Sequence, residues 1–151
     1  MKKINILGVG NALVDKQFLI EDSFLEDISI DKGTMGLCES NYQEELYKKL
    51  SKHYKKSQDA CGGSATNTIF AASSLGSSCG FIGKVANDTN GHFYKEDLEK
   101  IGIQNNIISQ GKENTGTCLI MISPDAERTM STCLGTVSYT HLTLPTKKRG
   151  G

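Results

Sequence analysis

The sequence predicts an α/β fold, in which a parallel sheet carries flanking helices and a small β lid lies beside it. Two observations predict it. Short apolar β-rich runs alternate with amphipathic helical runs along the chain, and two extended segments, near 12–38 and 115–134, interrupt that alternation. A length of 151 residues suits one compact domain.

The first part of the chain reads as a strand followed by a flap. The apolar run 4–9 ends at Gly10, as a buried strand leading into a loop does. Residues 12–20 stay extended, 21–28 predict a short helix, and 33–37 predict another strand. Because no long crossover helix lies between the extended segments, we predict an antiparallel flap.

A longer helix is predicted to begin at Ser40. Ser40 and Gln43 form the capping-box pattern, in which each side chain bonds a free backbone N–H. Apolar residues then recur at four-residue spacing while lysines occupy the other side. The apolar positions are Tyr42, Leu46, Leu50 and Tyr54.

Two further helices alternate with a strand. Residues 64–75 predict a helix that Gly76 ends, and Phe81 with Ile82 predicts the strand after it. Asp88 or Thr89 can cap the next helix, which is expected to stop at a glycine near 102. This order is typical of an α/β sheet.

A hairpin is predicted next, followed by a tail. Residues 117–123 and 128–134 are extended, and Pro124-Asp125 between them favours a turn. Residues 136–151 are Thr-rich and end in basic residues and glycines. They show neither the apolar periodicity of a helix nor the alternation of a strand. We interpret 1–135 as the folded unit and 136–151 as a non-native or disordered tail.

Composition excludes several classes of function. Seventeen basic and seventeen acidic residues cancel, so neither a nucleic-acid partner nor a membrane surface is indicated. Apolar runs fall short of the roughly 20 residues that a membrane span needs. Five scattered cysteines without a CxxC pair, and histidines without paired carboxylates, predict no metal site. The sequence therefore favours a cytoplasmic protein with a small-molecule partner and reduced thiols.

The end of the first strand carries the first candidate site residues. Gly8-Val9-Gly10 suggests a dinucleotide loop, but position 13 is Leu13 and no amphipathic helix follows. Asn11 and Asp15 come after the strand, where open α/β sheets bind ligands. A carboxylate there can accept hydrogen bonds from two neighbouring hydroxyls, as a sugar diol offers. A solvated loop acid is the alternative.

Gly62 and Gly63 form the second candidate site. Glycines let a ligand approach the backbone, and the helix that follows offers free N–H groups and a positive dipole end. Asn67, one turn into that helix, can add an amide contact. A simple turn with a polar helix residue is the alternative.

Taken together, four segments resemble the PfkB (ribokinase-like) kinase family in order and spacing, and most closely its adenosine-kinase-like branch. The resemblance runs from about Ile4 to about Gly135. The segments are GVGNALVD (8–15), GGSATNT (62–68), FIGKV (81–85) continuing to Gly91, and TGTC (115–118).

The resemblance implies a role for each site residue. Asp15 would bind the ribose hydroxyls, Gly62, Gly63 and Asn67 would complete the sugar pocket, and Asn11 would support it. This would make the partner a small nucleoside or sugar.

The resemblance also implies roles in the lid. Met35 lies on a segment that resembles a lid strand over the nucleoside, and Arg128 matches an arginine that approaches the transferred phosphate. For both, a surface or packing role is the alternative.

The reaction implied by the resemblance is transfer of the γ-phosphoryl group of ATP to a primary hydroxyl, which needs a base, Mg²⁺ and an anion hole. The family supplies these from later segments, above all a GAGD motif that this sequence lacks. We therefore expect an N-terminal fragment without catalytic residues and with an unpaired sheet edge. A non-catalytic sugar-binding fragment and a nicotinamide-dependent oxidoreductase domain are the alternatives. The acceptor and the oligomeric state stay open.

Overall fold

The computed structural model describes residues 3–109 and 113–139 and confirms the predicted α/β fold, with two β-sheets. The elements in chain order are β1 (Ile6–Val9), β2 (Leu13–Leu19), α1 (Asp22–Asp27), β3 (Met35–Leu37), α2 (Ser40–His53), β4 (Ala60–Gly62), α3 (Ser64–Ser74), β5 (Cys79–Val85), α4 (Thr89–Lys100), β6 (Gln104–Ser109), β7 (Thr117–Ile122), β8 (Arg128–Cys133) and a 3-10 helix (Gly135–Tyr139).

The first sheet is parallel and has the strand order β1-β5-β6. Helix α3 packs on β1 and β5, and α4 packs on β6. The predicted place of β1 in a parallel sheet is confirmed, but its predicted burial is wrong. Leu7 and Val9 are 50% and 47% exposed, because they alternate with Gly8, which lies against Ile69 of α3, and so point to the opposite face of the sheet. Among the described residues, β5 is the one strand that pairs with β1. The expected unpaired sheet edge is therefore present along β1.

The second sheet, which we call the lid sheet, has the order β3-β8-β7-β2-β4. The predicted β7–β8 hairpin is confirmed, with antiparallel register from Thr117↔Cys133 to Ile122↔Arg128. The predicted antiparallel flap is wrong, because this hairpin lies between β2 and β3. As a result, β2 runs parallel to β7 and β3 runs parallel to β8.

One face of the lid sheet packs on helices α1 and α2. Phe18, Leu119 and Met121 from the sheet form a buried cluster with apolar residues of both helices. Leu46 and Leu50, predicted on the apolar face of α2, belong to this cluster, whereas Tyr42 is 45% exposed. Burial of this face fixes the alternation along β2, so that its odd-numbered side chains point to the opposite face.

The predicted capping box at the start of α2 is wrong. The N-cap residue is Glu39, so Ser40 is already helical and its side chain does not cap. Gln43 is buried instead, and its Nε2 donates to the carbonyl oxygens of Thr117 at 3.0 Å and Ser131 at 3.1 Å. The Thr117 hydroxyl also bonds the Gln43 Oε1. Gln43 therefore attaches α2 to the β7–β8 hairpin.

Asp88 is the N-cap of α4, which confirms one of the two residues predicted for this position. Its Oδ1 accepts hydrogen bonds from the Gly91 N–H at 2.7 Å and from the Thr115 hydroxyl at 2.6 Å. Its Oδ2 accepts the Thr115 N–H at 2.8 Å. The carboxylate thus connects the start of α4 to the segment that leads into β7.

Part of the predicted tail lies in the 3-10 helix. Thr136 and Val137 are buried there, and the Thr136 N–H donates to the Asn114 carbonyl at 2.9 Å. The remaining tail residues, 140–151, lie outside the described residues.

Candidate functional site

The carboxylate of Asp15 lies directly against Gly62. Strand β2 pairs antiparallel with β4, which places Leu13 opposite Gly62 and Asp15 opposite Ala60. A Cβ atom added to Gly62 would lie 2.1 Å from the Asp15 Oδ1. A glycine is therefore required for the carboxylate to occupy this position.

The loop after β1 meets the second glycine. Gly63 has φ +96°, and a Cβ there would lie 2.5 Å from the backbone oxygen of Asn11. Gly10 comes equally close to α3, since its Cβ would lie 2.8 Å from the Ala65 Cβ. The end of β1 and the diglycine, distant in sequence, thus form one continuous backbone surface.

Helix α3 begins at this surface. Its N-cap is Gly63, which has no side chain to cap the first turn, and the Asn67 N–H donates to the Gly63 carbonyl at 2.9 Å. The positive end of the helix dipole therefore lies beside the diglycine. The side chains of Asn11 and Asn67 are both exposed and can contact a ligand.

Asp15 is a perturbed acid. Burial raises its pKa from 3.8 to about 6, although the positive charge of Arg128 lowers it. A carboxylate that has lost part of its hydration gains more from new hydrogen bonds than an exposed one does. This environment suits an acceptor for ligand hydroxyl groups.

Cross-strand neighbours of Asp15 extend the site along the lid sheet. The register places Cys118 beside Asp15, Thr132 beside Cys118 and Leu37 beside Thr132. The Thr132 hydroxyl donates to the Cys118 Sγ at 3.3 Å. Sequence reasoning did not assign Cys118 or Thr132 to the site.

The two lid residues of the sequence-based hypothesis are both exposed. Met35 lies on the edge strand β3 opposite Met130 and is 67% exposed. Arg128 lies at the start of β8 opposite Ile122, and its charge reaches Asp15. Their positions allow contacts with a ligand that lies over the Asp15 face of the lid sheet.

A separate cavity of about 490 Å³ lies on the other face of the lid sheet. Its lining includes Lys16 and Leu119, which alternate with Asp15 and Cys118 along β2 and β7. The Lys16 Nζ donates to the Asn90 Oδ1 at 3.1 Å and pairs with Asp59 at 3.5 Å. This cavity is therefore distinct from the surface formed by Asp15 and the diglycine.

The dinucleotide alternative does not fit the described topology. A dinucleotide loop leads from a strand into a helix whose N-terminus holds the pyrophosphate. After Gly8-Val9-Gly10 the chain enters β2 of the lid sheet, and the helix N-terminus at the site is that of α3.

Metal and membrane features are absent from the described segments. Within 3–109 and 113–139, no group of three or more His, Cys, Asp or Glu side chains could hold a metal ion. None of the helices in these segments is long and apolar enough to cross a bilayer.

The two sheets and the carboxylate–diglycine surface define an α/β protein of the ribokinase-like fold. The sequence profile described as "pfkB family carbohydrate kinase" matches residues 35–146. The chain belongs to this family, as its sequence predicted.

Curated relatives and solved structures agree with this assignment. The chain is 25% identical over 120 residues to adenosine kinase 2 of Arabidopsis thaliana, covering 78% of the chain and 34% of that protein. Adenosine kinase from Sinorhizobium meliloti superposes with TM-score 0.82 at 34% identity, over 91% of the chain and 41% of that structure. A probable sugar kinase from Rhizobium etli CFN 42 gives TM-score 0.81 at 33% identity, with the same coverage. The chain thus spans about a third of the curated relative.

Proposed function

We propose that the chain is the N-terminal part of an ATP-dependent, adenosine-kinase-like enzyme that phosphorylates a primary hydroxyl of a ribose-bearing substrate. The observation that carries this proposal is the contact between the Asp15 carboxylate and Gly62, beside the N-terminus of α3. Similarity to adenosine kinases over most of the chain supports the choice of substrate class.

In this proposal Asp15 accepts hydrogen bonds from the two ribose hydroxyls. Gly62 and Gly63 keep the site in this arrangement, because a Cβ atom on either would strike the Asp15 carboxylate or the Asn11 backbone oxygen. The exposed amides of Asn11 and Asn67 contact the remaining sugar oxygens. The partly desolvated carboxylate favours a polyol over water, since each ligand hydroxyl replaces lost hydration.

The lid sheet would cover the rest of the ligand. Met35, exposed on β3, supplies an apolar surface for a nucleoside base, and Arg128 supplies a positive charge for the phosphoryl group. Both side chains are exposed, so a ligand on this face of the lid sheet can reach them.

Phosphoryl transfer requires groups beyond those found among the described residues. ATP would be the phosphoryl donor, and Mg²⁺ would offset charge on its phosphates. The described part of the chain holds no three-ligand cluster for Mg²⁺, and the sequence holds no GAGD segment. We assign substrate recognition to this chain, and we place the catalytic base and the metal site in the part of the longer relatives that the chain does not match.

Recognition can be tested with the chain itself. Titration calorimetry with adenosine is expected to show binding that Asp15→Ala weakens by about tenfold or more, as loss of a charged hydrogen-bond acceptor does. Asp27→Ala, at an exposed carboxylate that ends α1, is the matched control. Equal affinity of wild type and Asp15→Ala would remove Asp15 from the site.

Catalysis can be tested with a fusion. We expect the chain joined to the C-terminal half of the Sinorhizobium meliloti adenosine kinase to transfer phosphate from ATP to adenosine. Failure with every nucleoside and sugar tried, from a folded fusion, would refute the kinase proposal. Adenosine binding without transfer would instead support a non-catalytic binding module.

A further inference from the structure

Tyr94 lies behind the diglycine and is fully buried in α4. Its hydroxyl donates to the Gly62 carbonyl oxygen at 3.3 Å and is also hydrogen-bonded to the Thr66 hydroxyl. Because a phenol has one proton to give, the Thr66 hydroxyl must donate to Tyr94 when Tyr94 donates to Gly62. The three groups therefore form a directed chain from Thr66 through Tyr94 to Gly62.

The tyrosine is itself anchored from both ends. Its ring packs against Phe81 of the central strand β5, with centroids 6.0 Å apart and planes at 47°. Its backbone carbonyl accepts a hydrogen bond from the Cys61 Sγ at 3.4 Å. One residue of α4 thus contacts the positions on both sides of Gly63, namely Cys61, Gly62 and Thr66.

The hydroxyl of a buried tyrosine usually has a hydrogen-bond partner. Here both partners of the hydroxyl belong to the diglycine segment, and Gly62 is the residue against which the Asp15 carboxylate lies. Burial raises the pKa of the Tyr94 phenol above its ordinary value, so the hydroxyl keeps its proton and remains a donor. Sequence reasoning treated Tyr94 as an apolar position of α4 and missed this contact.

We infer that Tyr94 is a positioning residue for the ligand site, whose hydroxyl holds Gly62 at the distance from Asp15 that a sugar diol requires. The inference rests on the proposed function for its ligand, but its geometric part does not. Thr66 shares the role, because it supplies the proton that orients the Tyr94 hydroxyl toward Gly62.

The variant Tyr94→Phe removes the hydroxyl and keeps the ring. We expect the affinity for adenosine to fall about tenfold, as loss of a buried hydrogen bond in a site does. The preference for adenosine over 3′-deoxyadenosine should fall as well, because the diol contact is the one that is displaced. Thr66→Val should have a similar effect, and the double variant should lose little more, since the hydroxyl groups act as one chain.

The matched control is Tyr47→Phe, which removes a hydroxyl on the opposite face of the lid sheet, where Tyr47 packs against Phe18. Both variants should unfold cooperatively. A loss of stability in Tyr94→Phe with unchanged adenosine affinity and unchanged preference for the diol would show a purely structural role and overturn the inference.

Amide hydrogen exchange separates this inference from the proposed function. Exchange at Gly62 and Gly63 should accelerate in Tyr94→Phe and not in Tyr47→Phe, whether or not adenosine binds. If adenosine fails to bind the wild type but exchange accelerates as expected, the ligand proposal fails and the positioning role stands. Unchanged exchange at both glycines would overturn the positioning role.

Discussion

Replacing Asp15 by Asn should stabilise the fold at neutral pH. Burial raises the Asp15 pKa from 3.8 to about 6, so the folded protein binds this proton more tightly than the unfolded chain does. Such a group contributes stability that is fully present below about pH 4 and is lost as the pH rises through about 6. The ionised side chain therefore opposes folding at neutral pH, and an amide of the same shape removes that cost.

The magnitude follows from the pKa shift. A rise of about two units corresponds to a ceiling of about 3 kcal/mol. Because the carboxylate is only half-buried, solvent screening reduces the expected effect to about 1–2 kcal/mol. We expect Asp15→Asn to raise the free energy of unfolding by that amount at pH 7.5 and to change it little at pH 4.

Urea unfolding followed by circular dichroism at the two pH values measures this difference. Glu96→Gln, at an exposed position within α4, is the matched control. The reasoning is refuted if Asp15→Asn is less stable than wild type at pH 7.5, or if the difference is the same at pH 4. Loss of adenosine binding in the same variant would show that the carboxylate needed for binding lowers the stability of the fold.

Four further outcomes follow from the same structure. Gly63→Ala should lower the free energy of unfolding by about 1–3 kcal/mol in urea titrations, because φ +96° is unfavourable for alanine and its Cβ would strike a backbone oxygen. Gln43→Ala should cost a similar 1–3 kcal/mol or so by leaving two carbonyl groups without its amide, whereas the exposed Glu45→Ala should be near neutral. Burial raises the pKa of Asp88, but the hydrogen bonds from residues 115 and 91 outweigh it and hold the pKa below its ordinary value. Asp88→Asn should therefore lower the free energy of unfolding at pH 7, and by progressively less as the pH falls below about 4. Leu7→Lys on the free edge of the parallel sheet should reduce light scattering by concentrated protein without lowering the melting temperature, and unchanged scattering would argue against edge-driven association.

Local signals in the sequence were sufficient to predict the helices and the β7–β8 hairpin. Four-residue spacing predicted α2, the glycine at position 76 predicted the end of α3, and Asp88 predicted the start of α4. Strands β4 and β6 were missed, because one has three residues and the other, QNNIIS, has no clear alternation. Local signals also could not predict which strands pair, since the β7–β8 hairpin lies between β2 and β3, which are close in sequence.

The candidate site was accessible to sequence reasoning where a general rule of α/β folds applied. Ligands bind at the carboxyl ends of parallel strands and at helix N-termini, and this rule indicated Asp15 and the diglycine. No such rule indicated Cys118, which became a neighbour of Asp15 through the unexpected parallel pairing of β2 with β7. Tyr94 was missed because its hydroxyl contacts depend on packing between two helices, which periodicity does not reveal.

The parallel pairing of β2 with β7 has a consequence for synthesis of the chain. Strand β2 ends at residue 19, but the strand that pairs with it along most of its length begins at residue 117. During translation β2 stays without its main partner, β7, until almost all of the described residues have left the ribosome. Such distant pairing slows folding and exposes apolar strands in the meantime. A nascent chain stalled before β7 should therefore bind chaperones more strongly than one stalled well after β8.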